Sequence, residues 1–273
     1  TDSLLVGHST TGTLDAATKN TGVGIDTMDA ITSGDNNTGL GFAAGGAITS
    51  SPQNTLIGSI VGQAITTGSG YNTHMGYASA FYNATGAYNT GLGAQSLFGA
   101  SGQNNSGNTA VGYNSGYAIT TGDKNITLGW TAGNNITSGS GNVVIGVADV
   151  SSATADDQLS ISDGEDGSVV WMTGDSSANV TIAGDLTITG DDLFMNTNTS
   201  GAALIGDGTN YNPVVISGDI SIATNGAASI AANSVDGTHI ALGSDAQGDI
   251  MYYNGTNYVR LAPGTDGQFL KTQ

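Results

Sequence analysis

Three histidines, His8, His74 and His239, have an ordinary pKa near neutrality, which makes them the first candidates for acid-base work or metal ligation. They are far apart in sequence, and His8 and His74 fall in repeated units whose neighbours carry other residues at the same place. A solitary histidine is more often structural or solvated than catalytic, so neither a catalytic nor a metal role is expected of any of them. Serine and aspartate are plentiful enough to assemble a Ser-His-Asp set on paper, but no G-x-S-x-G elbow is present to expose a nucleophile. The acidic turn Asp163-Gly164-Glu165-Asp166-Gly167 offers carboxylate and carbonyl oxygens of the kind Ca²⁺ takes. It lacks the ordered EF-hand spacing, and a plain surface turn is the preferred reading. The glycine-rich units likewise do not match the GGxGxDxUx of calcium-dependent β-rolls. The sequence therefore predicts no enzyme, no metal and no cofactor.

Composition points the same way. The chain has 273 residues with 44 glycines, 6% aromatic residues and 10% charged residues, against roughly 25% charged in globular proteins. Disorder would bring high charge and many prolines, whereas here proline numbers 3 and apolar residues reach 38%, so repetition is the better reading. The formal net charge is −18, with only four basic residues, Lys19, Lys124, Arg260 and Lys271. That balance excludes a phosphate-binding footprint and disfavours nucleic acid and anionic membrane as partners. It keeps a long molecule soluble and self-repelling. There is no cysteine, so disulfides and thiolate metal sites are excluded. No apolar run reaches spanning length.

Behind these residues stands a repeat. Units begin at Ser3, Asn20, Asn37, Asn54, Asn72, Asn89, Asn108, Asn125 and Asn142, at spacings of 17, 17, 17, 18, 17, 19, 17 and 17. Position five is always glycine: Gly7, Gly24, Gly41, Gly58, Gly76, Gly93, Gly112, Gly129 and Gly146. Position four is always apolar and is expected to form the repeat core: Val6, Val23, Leu40, Ile57, Met75, Leu92, Val111, Leu128 and Ile145. A second apolar column holds Leu14, Ile31, Ile48, Ile65, Ile119 and Ile136.

A period of 17 built from β-branched residues and glycine predicts a β-solenoid in which one unit makes one coil and coils stack about 4.8 Å apart. The glycine column marks either a φ > 0 corner or a close backbone approach. The leading asparagine is expected to start a turn by bonding its own backbone two residues on. Two strong apolar side chains per coil return on the order of 3 to 6 kcal/mol against roughly 17 to 34 kcal/mol of backbone entropy. Several chains wrapped side by side, each covering the others' apolar columns, are therefore expected. Phe42, Tyr77, Tyr113 and Trp130 share position six, where rings could stack sugars, but Ser59 and Ala94 interrupt them, so packing or inter-chain contact is expected.

Units such as NTAVGYNSGYAITTG and NTGLGFAAGGAITSS resemble the head repeats of trimeric autotransporter adhesins, and similar repeats occur in bacteriophage tail fibres. The resemblance covers residues 3 to about 150, with a unit longer than the usual adhesin repeat, and it implies a left-handed parallel β-roll that associates as a trimer. Threonine columns (Thr21, Thr38, Thr55, Thr73, Thr90, Thr109 and Thr32, Thr49, Thr66, Thr120, Thr137) look like those of ice-binding proteins. The plainer reading is that threonine is a good strand residue whose hydroxyls pair along a ladder.

Past Val150 the 17-residue spacing stops. Alternating runs (Val180, Ile182, Leu186, Ile188) between Gly-Asp turns predict half-buried strands, with further turns at Asp219, Asn225 and Asp236. An Asn-Gly pair between IMYY and TNYVRL is a hairpin signal. GDLTITG and SGDISIATNGAASI look like tail-fibre shaft repeats, and GDIMYYNGTNYVRLAPGTDGQFL looks like a small β module of such fibres. The expected architecture is all-β: an elongated parallel β-roll of about nine coils over 1–150, β-rich shaft repeats over 151–243 and a hairpin module over 244–273, homotrimeric. The expected function is structural: a virion appendage of phage tail-fibre type, partnered by itself, by other virion or fibre proteins and by a host surface receptor. The alternatives are a bacterial trimeric surface adhesin, a polysaccharide-degrading tailspike and, more remotely, an ice-binding solenoid.

Overall fold

The computed structural model describes residues 2–7, 16–68, 70–187, 189, 202–206, 211–223, 226–235 and 247–262. His8, His239, Leu14, Ile188, Asn225, Asp236 and Lys271, named above, lie outside the described residues. The chain divides into two units, Thr1–Thr187 and Ile188–Gln273. All regular structure among the described residues is β.

The first unit is a β-solenoid with one short strand per coil. Strands β1 (Leu4–Val6), β2 (Thr21–Val23), β3 (Thr38–Leu40), β4 (Thr55–Ile57), β5 (Thr73–Met75), β6 (Thr90–Leu92), β7 (Thr109–Val111), β8 (Ile126–Leu128) and β9 (Val143–Ile145) pair in sequence order, all parallel. The register sets like on like: Thr21 opposes Thr38, and Val23 opposes Leu40. β10 (Leu159–Ser162) continues the parallel stack, with Leu159 opposite Val143, and carries the ladder a coil beyond the last 17-residue unit. β11 (Val170–Gly174) and β12 (Val180–Ile182) then close the sheet antiparallel.

Each of the nine coil strands is three residues long because a glycine terminates it. The position-five glycines have φ between 95° and 141° in the nine units, which ends the extended run. Within a strand the side chains alternate outward, inward, outward. The residue that enters the interior is therefore the third of the unit, and its size varies: Gly22, Gly39, Leu56, His74, Gly91, Ala110, Thr127 and Val144.

Volume is traded between coils to keep the interior full. A Cβ on Gly22 would lie 3.0 Å from the Met28 methyl and one on Gly39 3.2 Å from it, so Met28 fills the space these strands leave empty. Opposite the bulky Leu56 stand Gly45 and Gly62, where a Cβ would meet the leucine methyls at 2.7 and 3.0 Å. Ile31, Ile48, Ile65, Ile119 and Ile136 are at most 1% exposed and form the true apolar spine. Most of the buried apolar side chains fall into two clusters, one from Ala17 to Ile65 and one from Leu97 to Val150. Between them sits a polar layer of His74, Ser79 and Ser96, all fully buried. At those coils apolar contact moves to the outer turn: Phe81, Phe98 and Tyr117 stack at 5.5 and 5.0 Å, with Tyr82 edge-on to the first two.

In the second unit the described strands form three antiparallel pairs: β13 (Ala202–Gly206) with β14 (Tyr211–Val215), β15 (Ile220–Ile222) with β16 (Ala228–Ile230), and β17 (Ile250–Tyr253) with β18 (Tyr258–Leu261). The last hairpin turns at Asn254-Gly255, where the Asn254 side-chain oxygen accepts from the Thr256 and Asn257 N–H groups. An Arg260–Asp249 ion pair braces its open end.

Candidate functional surface

The position-four residues do not line the interior, contrary to the expected repeat core. Val6, Val23, Leu40, Met75, Leu128 and Ile145 are 37–49% exposed, and Ile57, Leu92 and Val111 are half-buried. The reason is geometric: in a three-residue strand flanked by turns only the central side chain can point inward. Glycines 7, 24, 41, 58, 76, 93, 112, 129 and 146 meet both conditions that exclude a side chain. Besides their positive φ, a Cβ on Gly24, Gly41, Gly112 or Gly129 would lie 2.2 to 2.3 Å from the following glycine's carbonyl oxygen.

Outward of the strands lies a continuous face. Positions two, four and six supply it, from Leu4 and Val6 through Thr38, Leu40 and Phe42 to Ile126, Leu128 and Trp130. Phe42, Tyr77, Tyr113 and Trp130 are all 47–59% exposed on its flank. Of these four, Tyr113 and Trp130, on adjacent coils, bring their rings near each other, 6.4 Å apart.

Beside that face runs a buried asparagine ladder. The Asn20 side-chain oxygen accepts the Asn37 backbone N–H at 2.8 Å, Asn37 accepts from Asn54 at 2.9 Å, and the pattern repeats through Asn72, Asn89, Asn108, Asn125 and Asn142. Most of the side-chain NH₂ groups donate across their own coil, as Asn37 does to the Ser51 carbonyl and Asn108 to that of Gly122. The asparagine therefore bonds the next coil and its own coil's far corner, not its own backbone two residues on. Gln158 ends the ladder: its N–H goes to the Asn142 oxygen, but its longer arm turns back to accept from Ser151 and Ser152.

The titratable candidates divide cleanly. His74 is fully buried with Nδ1 3.4 Å from the Ser79 hydroxyl, and burial lowers its pKa to about 3. Its Nε2 has no partner, so it is a neutral interior group. Asp163 accepts the N–H groups of Val169, Gly167, Asp166 and Glu165, and those bonds hold its pKa down at about 2. Its carboxylate organises the acidic turn by closing it on the backbone. No group of three His, Asp or Glu suited to a metal occurs among the described residues.

The two threonine columns differ. Thr32, Thr49, Thr66, Thr120 and Thr137 donate their hydroxyls to carbonyls of the next coil at 3.1 to 3.4 Å. Thr21, Thr38 and Thr73 stand exposed on the strand face. No helix of the described residues is long and apolar enough to cross a membrane.

Fold and surface together define a parallel β-solenoid, one strand per coil, laced by asparagine inside and bearing an apolar, uncharged stripe outside. Among known proteins the chain matches no family model, no curated protein and no solved structure.

Proposed function

We propose that the chain is a non-enzymatic structural protein that associates as a homotrimer in an extended fibre, a virion appendage of the phage tail-fibre type that supports attachment to a host. The observation that carries this reading is the outward face. Across nine coils, positions two, four and six hold no Asp, Glu, Lys or Arg, although the chain bears a net charge of −18. Like-charged chains repel one another, and a face without charges is where that repulsion is least. A ladder of side chains repeated once per coil is matched by a surface of the same period, and another copy of the chain supplies one. Completing the burial of the nine position-four side chains contributes on the order of 10 kcal/mol per chain.

The mechanism is mechanical. Stacked coils tied by backbone and asparagine hydrogen bonds resist bending, association hides the stripe, and the assembly holds a receptor-binding part away from its particle. Other virion or fibre proteins and a host surface receptor are the further partners. The adhesin-like roll followed by fibre-like modules favours a virion over a bacterial surface. Molar mass by light scattering, with electron microscopy of the same fraction, tests the reading. A rod-shaped trimer supports it; a compact monomer removes the trimer and leaves the exposed threonine column, with ice binding, as the property to assay.

A further inference from the structure

The last residue of each coil sits at a left-handed corner just before the asparagine, or before Gln158 in the ninth. Lys19, Asn36, Gln53, Tyr71, Tyr88, Gly107, Lys124, Gly141 and Asp157 all have φ between 55° and 71° there. Glycine and asparagine take such φ most readily, whereas a large side chain there is strained and must be held by its surroundings, as Met28 and Leu97 are by full burial. Two consecutive coils nevertheless place tyrosine at it. Tyr71 and Tyr88 stack with ring centroids 5.2 Å apart and planes within 10° of parallel, yet they are 48% and 61% exposed, so the strain is not repaid by burial.

The surroundings leave room for a ligand. Tyr71 closes the 18-residue coil, and the coil after Tyr88 is the 19-residue one, so both departures from the 17-residue period flank the pair. The next corner is Gly107, which has no side chain to cover the second face of the Tyr88 ring. Lys124 lies beyond it, its side chain passing over Gly107, where a Cβ would touch the lysine Cγ at 3.3 Å. The result is an exposed pair of stacked phenols with the Lys124 side chain beyond the uncovered corner.

We infer that Tyr71 and Tyr88 form a saccharide-binding platform on the flank of the solenoid, taking the apolar face of a pyranose ring on Tyr88 and its hydroxyls on the phenols and Lys124. Stacking on an aromatic face with a few polar groups around it is how such sites hold an amphipathic ring. The net charge of −18 selects a neutral glycan over an anionic one. This gives the host receptor of the proposed fibre a chemical class, but the site is local to three coils and does not need the fibre reading to hold.

Saturation-transfer NMR on the full chain, with neutral hexasaccharides of glucose, mannose and N-acetylglucosamine and with heparin as the anionic control, is the test. At least one neutral hexasaccharide should receive saturation from the tyrosine rings, and heparin should not. Tyr88→Gly should weaken that binding at least tenfold without lowering Tm, since glycine relieves the corner, and without changing the molar mass. The inference is overturned if no neutral glycan binds, if only heparin does, or if Tyr88→Gly binds as before. A Tyr88→Gly chain that loses Tm or changes molar mass would show the pair to be a packing or chain-contact element. Failure of the fibre reading would appear instead in the molar mass of the unaltered chain.

Discussion

An asparagine side chain suits the ladder because it offers an acceptor and two donors on one short arm, and the buried coil corner presents the complementary groups. Asn108 accepts from Asn125 N–H at 2.8 Å and donates to the Gly122 carbonyl at 2.9 Å. Asn108→Ala leaves both groups buried and unpaired, and a loss of about 2 to 6 kcal/mol is expected in denaturant unfolding, at about 1 to 3 kcal/mol for each of the two stranded groups. Asn108→Asp should fail as well, because it keeps the acceptor but loses the donor. His74 predicts a pH dependence of definite sign. Its folded pKa of about 3 lies below the ordinary 6.5, so stability is fully present above pH 6.5 and is lost as pH falls from there toward 3. The slope in that window is about 1.4 kcal/mol per pH unit. His74→Leu should flatten this slope; an unchanged acid transition in that variant would place the sensitivity elsewhere. The column of asparagines was legible in the sequence, but its bonding was not, because a side chain that bonds along the axis leaves the same letter pattern as one that bonds its own turn.

Among the elements, a three-residue strand survives only because it has neighbours above and below, and the glycine after it allows them to approach. At Gly112 the backbone has φ 132° and an added Cβ would sit 2.2 Å from the Gly129 oxygen. Gly112→Ala should cost more than about 3 kcal/mol and should lower hydrogen-exchange protection most in β7 and β8. Protection lost evenly over all strands would mean that the coils open as one unit. The parallel stack and its glycine column were readable from the 17-residue spacing. Which apolar column lies inside was not: Val23 and Ile31 are equally apolar, but Val23 ends a three-residue strand on an outward position, whereas Ile31 lies beyond the strand with its side chain inside. The tenth rung was hidden for a related reason, since β10 follows β9 after 16 residues with glutamine in place of asparagine and Ser162 in place of glycine.

For the whole molecule, the association proposed above through the uncharged stripe predicts a response to charge placed on that stripe. Leu40→Asp and Leu128→Asp together place two charges on the outward face without touching the interior. The expected outcome is a shift to lower molar mass in light scattering, with the circular dichroism of a folded β protein retained. A double variant that keeps the parent's mass would remove this face as the contact between copies. Added salt should strengthen the proposed association, because it screens the repulsion between like-charged molecules.

The unequal coils carry a further consequence. A stack of identical rungs has a translational degeneracy: slipping one part of the chain past the next by a whole rung exchanges each contact for an equivalent one and sacrifices only the end. Coils of 18 and 19 residues on either side of one regular coil, together with an interior that reads Met28, Leu56, His74, Leu97 along the axis, mark a single origin on an otherwise uniform scale. Misalignment by one rung would put the wide coils against narrow ones and His74 against an apolar layer. The irregularities thus act as a phase reference, and a chain rebuilt with every coil at 17 residues and a uniform interior would be expected to fold into a mixture of staggered frames.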